Sequence, residues 1–134
     1  MSTPFTFTGV LSRPSAAGQP NCQIPLPLQA LQSSFDTKSE DEYILTGAGT
    51  KAVDMASIAA TGAKFFSIEV GTLNAGGQPA AAAVMVRANG GSDDWELAPG
   101  GFIIFSSPTP TALGILSLDL VHTLDALVTV RVYG

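Results

Sequence analysis

Ala126-Leu127-Val128-Thr129-Val130-Arg131-Val132-Tyr133 follows Leu113-Gly114-Ile115-Leu116-Ser117-Leu118-Asp119-Leu120-Val121 after a gap of four residues. Both stretches alternate apolar and polar residues, the period of a half-buried strand. Ile115, Leu116, Leu118, Leu120, Leu127, Val128, Val130 and Val132 are expected to supply most of the buried aliphatics, with Asp119 and Arg131 on the outer face. Working outward, Lys64 to Val70 reads as a strand closed by Gly71, and Ala80 to Arg87 as another. Asn89-Gly90-Gly91 and Pro99-Gly100-Gly101 are turn signals whose residues tolerate positive φ or fix a turn. Trp95-Glu96-Leu97 and Phe102 to Phe105 complete the second half. Short strands about ten residues apart, separated by Gly, Pro and Asn, predict an all-β fold: an antiparallel sandwich or jelly roll of about eight to ten strands.

The first half is less regular. Phe5 and Phe7 alternate with Thr6 and Thr8, and Ile24, Leu26 and Leu28 alternate with Pro25, Pro27 and Gln29. A proline cannot donate to a ladder, so residues 1–40 are expected to be partly a Pro-rich extended arm or edge strand on a single domain spanning 1–134. Asp36, Glu40, Asp41 and Glu42 read as a solvated acidic loop ahead of the short apolar piece Tyr43-Ile44-Leu45. Ala52 to Ala63 fits either a short helix, from its alanines, or a strand on Val53 and Met55 with Asp54 outward; the strand is preferred.

Composition narrows the function. The chain has 134 residues, enough for one core without a metal or disulfide staple. Cys22 is the only cysteine and reads as a small apolar group. Charged residues make up 13% of the chain, about half the ~25% usual for a globular domain. So charge-poor a surface is expected to be covered by sister subunits or a larger lattice. The net charge is −5 and the six basic residues are scattered, which argues against a nucleic-acid partner. No apolar run approaches the ~20 residues that cross a bilayer, so no membrane partner is expected. Met1-Ser2-Thr3-Pro4 begins neither a basic nor an apolar signal region, so a cytoplasmic site of synthesis is expected.

Several residues invite chemistry. Gly47-Ala48-Gly49-Thr50-Lys51-Ala52 fits G-x-G-x-x-A, and Glu69 lies 22 positions after Gly47, where a dinucleotide site places its ribose-binding acid. The leading strand is too short, however, and no second βαβ unit follows, so a plain turn is expected. Lys51 lacks the spacing of a phosphate-binding loop. His122 is the single histidine, and no G-x-S-x-G motif accompanies it. Nothing in the local sequence activates Cys22 as a partner for it. Asp93, Asp94 and Glu96 surround Trp95 in no known calcium spacing. No His/Cys cluster suits a transition metal. No cofactor, metal or catalytic residue is expected, and paired carboxylates for glycoside hydrolysis have no support in the spacing.

The C-terminal two-thirds resembles small β-sandwich virion proteins of tailed bacteriophages. The resemblance runs through Gly49-Thr50-Lys51-Ala52-Val53-Asp54, Ala63 to Glu69, Val86 to Gly91, Trp95 to Gly101 and Thr129 to Gly134. It implies a non-enzymatic capsid decoration (cement) protein, a head fibre or a tail component, commonly a homotrimer, with a virion protein as partner. Phe5, Phe7, Ile24, Leu26, Leu28 and Trp95 are then the candidate partner contacts. The alternative is a lectin-like module with Trp95 as a sugar-stacking platform in an exposed groove.

Overall fold

A computed structural model describes residues 3–13, 22–35, 38–92, 95–106 and 114–134, with side chains described from residue 38 onward. The chain divides into two compact units, Met1–Phe35 and Asp36–Gly134.

The first unit is a two-stranded antiparallel ribbon of β1 (Thr3–Arg13) and β2 (Cys22–Phe35). Its register sets Phe5 opposite Ser33, Phe7 opposite Leu31 and Leu11 opposite Ile24, then shifts between Phe7 and Gly9. Directly opposed residues share one side of a ladder. Thr6 opposite Gln32 and Ser12 opposite Gln23 take the alternate positions.

The second unit holds β3 (Lys38–Leu45), β4 (Gly49–Ala52), a 3-10 turn (Ala56–Ala60), β5 (Phe65–Val70) and β6 (Val84–Ala88). It continues with β7 (Trp95–Leu97), β8 (Phe102–Ser106), β9 (Leu118–His122) and β10 (Ala126–Tyr133). The pairing is nested: β3 with β10, β4 with β9, β5 with β8, and β6 with β7, all antiparallel. A long hairpin pairs its strands in this way, out through β3 to β6 and back through β7 to β10. Two further ladders, β5 with β10 and β6 with β9, wrap it into sheets ordered β3-β10-β5-β8 and β4-β9-β6-β7. That wiring is a jelly roll, an all-β sandwich with eight strands in two sheets.

The core lies between the sheets. Val128, Val130 and Val132 of β10, Phe66 and Ile68 of β5, Val84 and Val86 of β6, and Leu118 and Leu120 of β9 are all buried. Complete burial of such side chains stabilises the fold by about 1.5–3 kcal/mol each, before the entropy cost of ordering them. Leu127 takes the outer, half-buried register, while Arg131 is exposed.

Four expectations are corrected. The acidic stretch at Glu40, Asp41 and Glu42 belongs to strand β3 rather than a loop; it lies at a sheet edge, where charge is compatible with a ladder. Asp36 lies outside the described residues. Ala52–Ala63 is neither strand nor α-helix: β4 ends at Ala52, and Ala56 at φ +48° turns the chain into the 3-10 turn. The Asp54 carboxylate accepts the Ala56 N–H at 2.9 Å, and Val53 and Met55 still point inward. The strand expected from Ala80 begins only at Val84, beyond the Leu73–Pro79 bridge. The strand expected from Leu113 begins at Leu118; Leu113 lies outside the described residues, and Asn89 takes up backbone groups of residues 114–117. The Asn89 side-chain carbonyl accepts N–H groups from Leu116 at 2.8 Å and Ser117 at 3.2 Å, and its amide donates to Gly114 at 3.0 Å.

An ion-pair row crosses the outer face of the β3-β10-β5-β8 sheet. Tyr133 donates a short hydrogen bond to the Glu40 carboxylate, which Lys38 approaches to 3.6 Å, and Arg131 meets Glu69 at 3.1 Å. Burial first, then the hydrogen bond to Glu40, pushes the Tyr133 phenol up to about 12. The same bond is the main cause that holds Glu40 below the ordinary carboxylate range. A phenol raised on folding contributes stability in full below its unfolded value of ~10, and loses it as pH rises through the folded value. Wild-type stability is therefore expected to decline between about pH 10 and 12. Tyr133→Phe flattens that decline, as urea midpoints measured against pH will report. A residual slope comes from Tyr43, also raised by burial.

Candidate functional site

Strand direction sorts the connections of the sandwich to two ends. Residues 46–48, 71–83, 98–101 and 123–125 gather at one end, tied by Gly47 N–H to Asp125 (2.7 Å), Gly71 N–H to Leu127 carbonyl (2.8 Å) and Gly100 N–H to Val70 carbonyl (2.9 Å). Asp125 is the single charged residue in those four connections. The sandwich's cations, Lys38, Lys51, Lys64, Arg87 and Arg131, all sit toward the other end of their strands or beyond it. Ile44 (64% exposed), Leu73 (50%), Phe102 (65%) and Leu124 (49%) lie at or beside the cation-free end.

Two open depressions lie there too. One, of about 290 Å³, is bounded by Glu69, Gly71, Gly101, Phe102, Leu127 and Thr129. The other, of about 310 Å³, is bounded by Asn74, Pro79, Ala81, Leu124 and Asp125. Thr129 and Glu69 are cross-strand partners in the first, and no described His, Ser or Cys lines either. Among the described residues no group of three or more His, Cys, Asp or Glu is placed to hold a metal, and no helix is long and apolar enough to cross a membrane. The arrangement can supply apolar contact and backbone hydrogen bonds.

The glycine motif is a turn joining β3 to β4. Gly47 sits at φ +62°, which suits glycine, and no α-helix follows it to receive a pyrophosphate. His122 is buried beneath that turn and shares a 2.6 Å hydrogen bond between Nδ1 and the Gly47 carbonyl. A carbonyl only accepts, so the proton lies on Nδ1. His122 and Asp125 thus grip the Gly47 peptide groups from both sides and fix the crossing between sheets.

The candidate partner contacts fall in two places. Phe5, Phe7, Ile24, Leu26 and Leu28 lie on the ribbon, where the backbone is described and the side chains are outside the described residues. Leu28 falls within the part of β2 skipped by the register shift. Cys22 begins β2, its side chain likewise outside the described set, as are Asp93 and Asp94 entirely. Trp95 is half-buried against the core, its ring centroid 6.2 Å from that of Phe66. It borders neither depression.

Ile44, Leu73, Phe102 and Leu124 were not legible as a group, because they come from four separate segments. Only Ile44 leaves a trace, as an apolar residue out of phase between the inward Tyr43 and Leu45. Compared with known proteins, the chain matches no family model, no curated relative and no solved structure.

Proposed function

We propose that the chain is a non-enzymatic structural subunit of a bacteriophage virion, a capsid decoration protein that self-associates as a homotrimer and stabilises the head through contacts between subunits. The observation that carries the self-association is the ribbon. Two strands alone are marginal in water, because nothing covers either face. This ribbon forms a compact unit of its own, and Arg13 is the single charged residue among positions 1–35. Charge does not keep it in solution, and its register sets Phe7 opposite Leu31 and Leu11 opposite Ile24. Such a ribbon is suited to burial against other copies or a capsid surface. The placement in a virion rests on the sequence resemblance and on fold-level analogy, since jelly rolls recur in capsid and lectin domains. A sugar platform at Trp95 has less support, because that ring leans on Phe66 instead of standing in a groove.

The test is the solution mass of the intact chain, by light scattering behind a sizing column over a range of concentrations. A mass of three chains is expected at the lowest concentrations. Phe7→Ser with Leu31→Ser, which removes an opposed apolar pair, is expected to shift it toward one chain. A monomer at every concentration would sink self-association through the ribbon.

A further inference from the structure

The sandwich has four edge strands, and three carry a guard against pairing with another strand. β3 bears Lys38, Glu40, Asp41 and Glu42; β4 is four residues long with Lys51; β7 is three residues long with Glu96. Charges and short length are the usual protection of an exposed edge. β8, Phe102-Ile103-Ile104-Phe105-Ser106, has neither charge nor proline.

Its free backbone groups follow from the turn before it. Val70 N–H donates to the Gly101 carbonyl and Gly100 N–H to the Val70 carbonyl, both at 2.9 Å. Position 101 therefore faces β5, and alternation turns Ile103 and Phe105 the same way, opposite Ile68 and Phe66. Phe102, Ile104 and Ser106 direct their N–H and C=O groups to the edge with which no described strand pairs. Their side chains stand exposed on the outer sheet face, while Ile103 and Phe105 pack partly against the core.

We infer that β8 is a self-pairing edge whose partner is β8 of a second copy, antiparallel about a two-fold axis at Ile104. Ile104 then opposes itself and Phe102 opposes Ser106, giving about six new backbone hydrogen bonds in three bonded pairs. Ile103 opposes Phe105 on the inner face, so the two cores run together. The sheets join as β3-β10-β5-β8 meeting its own copy, eight strands across. Charge selects this occupant. Among the sandwich edges of a second copy, the others would bring Glu96, Lys51 or the β3 charges into the new ladder and β8 brings none, while the charge-free β2 of the ribbon carries Pro25 and Pro27, which cannot donate to a ladder. This pairing stands apart from the ribbon reading and holds whether or not the ribbon associates.

The experiment combines solution mass with amide hydrogen exchange on the full chain. In wild type, the amides of Phe102, Ile104 and Ser106 are expected to exchange about ten-fold or more slowly at high concentration than at low, as paired edge amides do. Ile103 and Phe105, already bonded to β5, stay slow at both and report that the strand is folded. Ile104→Lys is expected to hold the mass at high concentration to its low-concentration value and to abolish the concentration dependence of the exchange. The ribbon variant Phe7→Ser with Leu31→Ser is expected to keep the β8 protection, which separates the two readings. Fast exchange at Phe102, Ile104 and Ser106 at every concentration would overturn the inference. So would an Ile104→Lys variant of wild-type mass at high concentration. Should that variant unfold, the wild-type exchange pattern decides alone.

Discussion

Phe66→Ala is expected to cost about 3–5 kcal/mol, the range for deleting a large aromatic ring from a packed core. Phe66 is fully buried at the middle of three strands, opposite Val132 on β10 and Phe105 on β8. Its ring stacks on Phe105, with centroids 4.9 Å apart and planes 13° from parallel. It also reaches Trp95 on the other sheet at 6.2 Å and 55°. One ring therefore joins both sheets, and its loss leaves a cavity lined by flat aromatic faces that cannot collapse into it. A loss of that size lowers Tm by on the order of 10–20 °C in a domain of this length. Trp95 gives a second readout. With Phe66 gone its indole meets more water, so native-state fluorescence should shift to longer wavelength before any unfolding. A loss under about 1 kcal/mol with unchanged emission would mean that Phe66 does not join the sheets, because so small a change is ordinary for a surface site.

The same arrangement explains which parts of the fold could be read from the sequence. β10 and β9 are central strands with water on one side and core on the other, so burial imprints a two-residue period on Leu118 to His122 and Ala126 to Tyr133. Edge strands leave a weaker imprint. All four residues of β4 are exposed, so Gly49-Thr50-Lys51-Ala52 has no apolar side to display. In β3 the acidic residues satisfy the needs of an edge, and composition alone makes them look like a loop. The glycine motif at Gly47 is ambiguous for a related reason: a turn that must cross between sheets needs the same small residues as one that must admit a phosphate. Only the grip of His122 and Asp125 on that turn distinguishes them, from 75 and 78 positions away. The apolar end and the unguarded β8 edge depend on which strands lie beside which, and local periodicity carries no record of that.

The Ala52–Ala63 stretch, the least legible of all, holds the second large effect: Ile58→Ala is expected to cost about 2–4 kcal/mol. Ile58 is completely buried although it sits on a five-residue 3-10 turn whose other residues are exposed. The turn is held by local bonds, with Ile58 N–H donating to Met55 and the N–H groups of Thr61 and Gly62 returning to the Ile58 carbonyl. Those bonds do not need the side chain, so the variant keeps the turn and loses the plug. Met55, buried alongside and flexible, can fill part of the space, which keeps the expected cost below the top of the range. Gly134 supplies an internal check. A Cβ added there would lie 2.8 Å from the Ile58 Cγ2 atom, closer than packed carbons tolerate. Gly134→Ala alone should therefore destabilise by about 1–3 kcal/mol through overpacking. With Ile58 already cut to alanine the obstructing carbon is gone, and the added methyl occupies the vacated space. The double variant should then be no less stable than Ile58→Ala, a coupling of about 1–3 kcal/mol between the two positions. Urea unfolding of all four proteins measures it, and simple additivity would show that Gly134 does not rest on Ile58.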